Sequence, residues 1–257
     1  CLVGSEMCIR DSLRFDLMEK NNTGKYIKYA LGEIVLVVIG ILIALSINNW
    51  SENAKRLKQE QEILKNLKQD FEYNHKALLD VLSSNTKNIN SAITVLNHTG
   101  KRFSEEFELN PILNDIASSV YYYPKNGFLS DLINSGNLSI IRNDQLRSRL
   151  TSWTPRLDDL NLRQQGNKEF ENLIIRYIIE NGSWLAADES SNDLTVKKLN
   201  FPTSGFDVDN NQMLKNIEFE NMIENQAVFL ELMSERLRLC LDLNVEILEL
   251  LDQEITN

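Results

Sequence analysis

Between Ala30 and Trp50 the chain reads ALGEIVLVVIGILIALSINNW, with an apolar run from Ile34 to Leu45 and Ile47 just beyond it. As a helix this stretch spans about 30 Å at about 1.5 Å per residue, the thickness of a bilayer core. Its only charge is Glu33, at the edge, where a carboxylate reaches the headgroups rather than lying in hydrocarbon. Lys25, Tyr26, Lys28 and Tyr29 precede it and Asn48, Asn49 and Trp50 follow it, so each end carries an interfacial anchor. The pattern predicts a transmembrane helix over 30–50. Two other readings compete: a secretory signal cut at Ala44-Leu45-Ser46, and a core helix covered on all sides. Length and bracketing favour the uncleaved anchor.

Beyond Ser51 the apolar positions take up helical spacing, and neither Gly nor Pro interrupts them before Gly100. Leu57, Leu64, Phe71 and Leu78 recur every seven residues with Leu67 between them, and the seam then shifts to Leu82, Ile89, Ile93 and Leu96. This predicts a long amphipathic helix over 51–99, running on from the span and stopped near Thr99 by a left-handed Gly100. A central helical unit over 100–182 follows. Pro111 starts a helix, and Tyr121, Tyr122, Tyr123 and Pro124 form an aromatic cluster packed under a loop, although such a run also makes a binding lip. Phe128, Leu129, Leu132 and Ile133 form a short helical face that stops at Ser135, Gly136 and Asn137. Asn143 or Asp144 caps the next helix, which runs toward Glu180, bends at Pro155 and ends at Asn181 and Gly182.

The stretch 183–212, rich in Asp, Asn and Ser, reads as a connector that folds in part as an irregular cap. A near-heptad stripe then runs through Ile223, Leu230, Met233, Leu237, Cys240, Ile247 and Leu251, predicting a C-terminal helix over 213–255 whose partner is the long post-membrane helix. The predicted fold is all-α: one N-terminal transmembrane helix continuing into an elongated antiparallel helical bundle, with 51–257 as the helical soluble domain. Only 10 glycines and 4 prolines occur among 257 residues, which agrees with long helices rather than a turn-rich β architecture.

Residues 1–12, CLVGSEMCIRDS, have neither a basic n-region nor an amphipathic pattern and resemble a translated adapter or assembly scar. A basic juxtamembrane segment, 13–29, follows. Setting the leader aside removes Cys1 and Cys8 and leaves Cys240, expected as a small buried apolar residue, with no disulfide framework. The net charge of −10 repels phosphate backbones, and no basic stripe with interleaved aromatics is present, so nucleic acid is not an expected partner.

Candidate chemistry is sparse. The two histidines, His75 and His98, lie far apart on one predicted helix and cannot share a metal. Zinc signatures, a phosphate-cradling glycine loop, a dinucleotide fingerprint and a nucleophile elbow are absent from the sequence, and no cofactor is expected. The adjacent acids Asp158 and Asp159 read as a solvated helix face rather than a general acid and base. Asp207, Asp209, Asn211 and Glu218 occupy oxygen positions of a calcium loop, but its turn position holds Gln212 instead of glycine, and capping explains the same acids. Gly40 and Ala44, four apart in the span, offer a small-residue face to a second helix.

With Thr23 to Trp50 reading TGKYIKYALGEIVLVVIGILIALSINNW and Leu129 to Leu150 reading LSDLINSGNLSIIRNDQLRSRL, the chain resembles a family of uncharacterised single-pass membrane proteins of Bacteroidota. The resemblance covers nearly everything after residue 12. It implies an uncleaved anchor in a bacterial inner membrane and supplies no activity, ligand or catalytic residue. Basic residues flank both ends of the span: Arg14, Lys20, Lys25 and Lys28 before it, and Lys55, Arg56, Lys58, Lys65 and Lys68 after it. A short basic N-terminus held in the cytoplasm would place the large domain in the periplasm. The expected function is a non-catalytic interaction or sensor-like module that binds a protein partner or a second copy, through Gly40 and Ala44 or the amphipathic helices. A membrane-bound hydrolase using carboxylates around Tyr121 to Asp144, and a passive spacer, are the alternatives.

Overall fold

The computed structural model describes residues 23–191 and 194–255. The leader, Cys1, Cys8, Arg14 and Lys20 lie outside the described residues, as do the side chains of Lys25 and Tyr26. Among the described residues the regular elements are helices: α1 (Thr23–Leu96), α2 (Asn110–Ala117), α3 (Gly127–Asn134), α4 (Asp144–Asn181), α5 (Trp184–Glu189), α6 (Leu194–Leu199) and α7 (Ile217–Glu254). Short 3-10 turns occur at Gly100–Arg102, Asn137–Ile140 and Asn210–Lys215. The chain divides into two compact units, Cys1–Gln59 and Glu60–Asn257, and the boundary falls within α1.

In the first unit every residue from Ile34 to Trp50 is exposed. This is a helix long and apolar enough to cross a membrane, near the N-terminus, and none of its apolar window is buried. A core helix would be covered, so that reading fails. Ser46 returns its hydroxyl to the Leu42 carbonyl at 2.7 Å. The one hydroxyl in the apolar stretch is thereby satisfied within its own helix, as a lipid environment requires.

The second unit is built on the part of α1 from Glu60 onward, together with α4 and α7. Asn244 on α7 donates to the Phe71 carbonyl at 3.0 Å, Asn85 donates to Ser234 Oγ at 3.1 Å, and Arg102 pairs with Glu220 at 3.0 Å. Rising numbers on one side meet falling numbers on the other, so α7 is antiparallel to this part of α1. Arg149 with Glu246, Asp159 with Arg236, and Tyr177 with Phe219 show the same for α4 and α7.

Each long helix is buried along one regular seam. In α1 the seam is Leu64, Leu67, Phe71, Asn74, Leu78, Val81, Asn85, Asn88, Ala92 and Val95, spaced alternately three and four residues. In α7 it runs Phe219, Ile223, Gln226, Leu230, Met233, Leu237, Cys240, Asn244, Ile247 and Leu251. This is heptad spacing, in which a narrow stripe faces its neighbours turn after turn. The seam in α1 therefore does not shift after Leu78. Ile93, assigned to it from the sequence, is 49% exposed, while Val95 is fully covered. The true seam carries three asparagines, whose polarity hid its phase.

Several boundaries fall where their residues predict. Gly100 has φ 57° beyond the end of α1, Pro111 sits in the first turn of α2, and Asn143 caps α4 by accepting from the Leu146 amide at 2.9 Å. Gly136, with φ 74°, follows α3. Pro155 lies inside α4, which ends at Asn181 as Asn181 and Gly182 predict. Gly182 follows α4 with φ −139°, which needs no glycine, but an added Cβ would sit 2.7 Å from Asn210 Oδ1. Close approach, not a left-handed turn, explains it. The connector holds α5 and α6, and the C-terminal helix starts later than predicted: the 3-10 turn ends at Lys215, and Asn216 caps α7 through the Glu218 amide at 2.9 Å.

The seam reading has a direct test. Val95→Ala removes buried methyl groups and is expected to cost about 2 kcal/mol, whereas Ile93→Ala stays within about 0.5 kcal/mol. Denaturant unfolding of the full chain in detergent measures both; equal costs would restore the shifted seam.

Candidate functional site

Apolar packing in the second unit forms two clusters. One gathers Leu64, Phe71, Leu78, Trp153, Leu237 and Ile247 among others, with Phe71 and Trp153 rings 5.1 Å apart. The other gathers Val95, Leu113, Ile174, Phe219 and Ile223. Along the three seams, the positions between these clusters are polar: Asn85 and Asn88 on α1, Gln164 and Asn167 on α4, and Gln226 on α7, all buried.

Asn85 bonds Ser234 on α7, and the other four serve a segment that is not helical. Residues 118–126, between α2 and α3, form no regular element. An unpaired backbone run carries an unsatisfied N–H and C=O at every residue, and each such group left buried costs about 1–3 kcal/mol. Here the seam amides supply the partners. Gln164 accepts from the Tyr122 amide at 2.7 Å and donates to its carbonyl at 3.2 Å. Asn74 does the same at Lys125, accepting at 2.8 Å and donating at 3.0 Å. Asn88 donates to the Ser118 carbonyl at 2.7 Å. Ser119 Oγ accepts from Asn167 at 3.0 Å and from Gln226 at 3.2 Å, while its amide donates to Glu171 at 3.3 Å. Tyr121 donates its phenol to the same carboxylate, and Lys125 reaches Asp70 at 2.7 Å. The segment is a strap gripped by α1, α4 and α7.

Burial, reinforced by the bond to Glu171, holds the Tyr121 phenol above its ordinary range, and burial does the same to Tyr122. Both stay protonated at neutral pH. Of the aromatic run, Tyr122 is buried as packing predicts, whereas Tyr123 is 75% exposed and stands as a lip.

The remaining sequence candidates are placed elsewhere. Asp207 is exposed. Asp209 caps the 3-10 turn, accepting from the Asn211 amide at 3.0 Å and from the Gln212 side chain at 2.6 Å. Asn211 bridges the Leu109 amide and the Phe107 carbonyl, and Glu218 lies exposed in the first turn of α7. The calcium-like spacing is thus occupied by capping and bridging, and among the described residues no group of three or more His, Cys, Asp or Glu side chains is placed to hold a metal ion. His98 lies in the turn after α1, not on the helix, stacked on Phe107 at 3.9 Å. Asp131 and Asp144 are exposed, and Asp144 pairs with Arg147. Asp159 pairs with Arg236 at 2.9 Å. In the first unit, Gly40 is exposed with nothing within 4 Å of an added Cβ, and Ala44 is exposed beside it on the helix.

Sequence reasoning missed Asn74, Asn88, Gln164, Asn167 and Gln226. The signal was available: amides recur at strict heptad positions, where solvent-facing residues do not fall.

The model of a family of unknown function (DUF6090) matches residues 33–232. The chain belongs to this family. The DUF6090 match takes in the apolar span, the strap and all five missed amides, and it ends inside α7. No curated protein and no solved structure matches the chain.

Gln164→Met keeps length but removes both strap bonds and is expected to cost about 2–5 kcal/mol. The Tyr122 amide should lose its protection from hydrogen exchange; unchanged protection would remove Gln164 from the clamp.

Cys240 is buried, and its thiol is pushed up to about 11 from 9.0, first by burial. The folded state favours the neutral thiol, so this contribution is complete below about pH 9 and is lost as pH climbs toward 11. Between pH 8 and 10.5 the unfolding midpoint should fall more in the native chain than in Cys240→Ala. Equal falls would show that the thiol does not contribute.

Proposed function

We propose that the chain is a membrane-tethered, non-catalytic interaction module of a bacterial inner membrane. It crosses once at 30–50, with the N-terminus in the cytoplasm and the helical domain, 51–257, in the periplasm, where it engages a protein partner or a second copy. The observation that carries this reading is the exposure of every residue from Ile34 to Trp50. A contiguous apolar surface of that length is unfavourable in water and favourable in lipid.

The character of the buried polar groups supports the non-catalytic part. The belt consists mainly of neutral amides that bind the strap, and amides neither ionise near neutral pH nor act as nucleophiles. The hydrolase alternative draws on acids around the strap, but Glu171 already accepts from Tyr121 and Ser119, and Asp144 is exposed and paired with Arg147. Self-association through Gly40 and Ala44 fits the open face there, since small residues let two backbones approach closely in lipid.

The test uses the full chain in its membrane. It should resist alkaline extraction, an alkaline phosphatase fused after Asn257 should be active, and crosslinking should trap a dimer or a discrete partner. Release as a soluble species overturns the tether, an inactive fusion overturns the orientation, and a strict monomer that captures nothing overturns the interaction reading.

A further inference from the structure

The second half of the strap and one face of α4 line a groove. It has a volume of about 280 Å3, and its walls include Tyr122, Tyr123, Pro124, Leu157, Asp158 and Asn161. Thr154, Leu157, Asp158 and Asn161 fall three and four apart on one face of α4, so a rigid helix forms one wall and the clamped strap the other. A volume just under the common range for small-molecule sites suits a single group the size of a side chain.

Its chemistry points one way. Asp158 is the only formally charged residue in the lining. No ion pair among the described residues engages Asp158, although its neighbour Asp159 is paired with Arg236 at 2.9 Å. The nearest cation of the strap, Lys125, is drawn to Asp70 on α1 at 2.7 Å. Tyr123, on the other wall, is 75% exposed. A carboxylate and an open aromatic ring lining one groove suit a planar cation, which bonds the carboxylate along one edge and stacks on the ring. A chain with net charge −10 also raises the local concentration of cations.

We propose that this groove binds an alkylguanidinium group, with its charge on Asp158 and its plane against Tyr123. The inference deepens the interaction reading, on which it rests for its biological sense, by naming the chemistry of a partner. The group has two sources: an arginine side chain of a partner peptide, or a free small guanidine.

The experiment titrates the full chain in nanodiscs with N-acetyl-arginine amide, agmatine and N-acetyl-citrulline amide, followed by ligand-observed NMR. Both guanidines should bind, and neutral citrulline should not. Asp158→Asn and Tyr123→Ala should each weaken binding about five- to tenfold, while Asp159→Asn leaves it unchanged. Far-UV circular dichroism shows that each variant is folded, and because both test sites are exposed, each substitution checks the other. A short arginine peptide that binds at least about tenfold tighter than agmatine assigns the group to a protein partner; equal affinity assigns it to a free guanidine. Equal binding of citrulline, or undiminished binding by Asp158→Asn, overturns the proposal. A chain that still crosslinks as a dimer yet binds no guanidine overturns this inference and leaves the interaction reading standing.

Discussion

Main chain that passes through a protein interior outside a helix or sheet must have each N–H and C=O paired by something else. The second unit is organised around that requirement at residues 118–126. The strap runs between three long helices, and those helices give up apolar seam positions to meet it. Gln164 and Asn74 each hold both polar groups of one strap residue, on helices that flank it. Because Tyr122 and Lys125 are a fixed three residues apart, gripping both fixes the axial offset between α1 and α4. Asn244 at the Phe71 carbonyl and Asn85 at Ser234 fix α7 in the same way. The amides thus set register as well as satisfying the strap, a role for which buried polar groups in helical bundles are well suited.

The helices themselves were legible, because length, capping and the scarcity of glycine and proline all act locally. Asn143 and Gly100 stand where capping chemistry places them, and the apolar span is defined by composition alone. What was not legible depended on partners distant in sequence. The phase of the α1 seam was lost after Leu78 because Asn85 and Asn88 look like surface residues until their partners, Ser234 on α7 and the Ser118 carbonyl of the strap, are known. Gly182 does follow the last residue of its helix as read, but the reason for a glycine there, close approach of Asn210 in the turn before α7, was not visible. The candidate site was legible only in part. Tyr121 to Tyr123 stood out as aromatic, but which of them is buried depends on contacts with helices distant in sequence, such as the Gln164 bonds to the Tyr122 main chain. At Asp209 the ligand-like spacing was read as capping, and the structure places that carboxylate on the Asn211 amide, while Asp207 is exposed.

The first unit follows a different rule. There the surface is apolar, and backbone satisfaction comes entirely from the helix. Ser46 shows how closely that rule is followed, since its hydroxyl bonds back to Leu42 rather than to an outside partner. Membership of the DUF6090 family ties the two regions together, because the matched stretch opens at Glu33, before the apolar run, and extends past Gln226.

Buried amides stabilise a bundle less than leucines would, since each gives up apolar transfer energy for hydrogen bonds of small net value. A fourth helix in place of the strap would satisfy its own backbone and let the seams remain apolar. The chain instead lays an irregular element against its long helices, with Tyr122 buried and Ser118, Val120 and Tyr123 to Lys125 exposed, and maintains five amides to hold it. That arrangement has one geometric consequence a four-helix bundle would lack. Along the strap Tyr121 is half-buried, Tyr122 buried and Tyr123 exposed, and Tyr122 and Tyr123 line one groove together with Asp158, which no ion pair among the described residues engages. Gln164, which grips the strap, also lines the groove, so belt and groove are parts of one feature, and the stability given up at the seams is what fixes the groove wall in place.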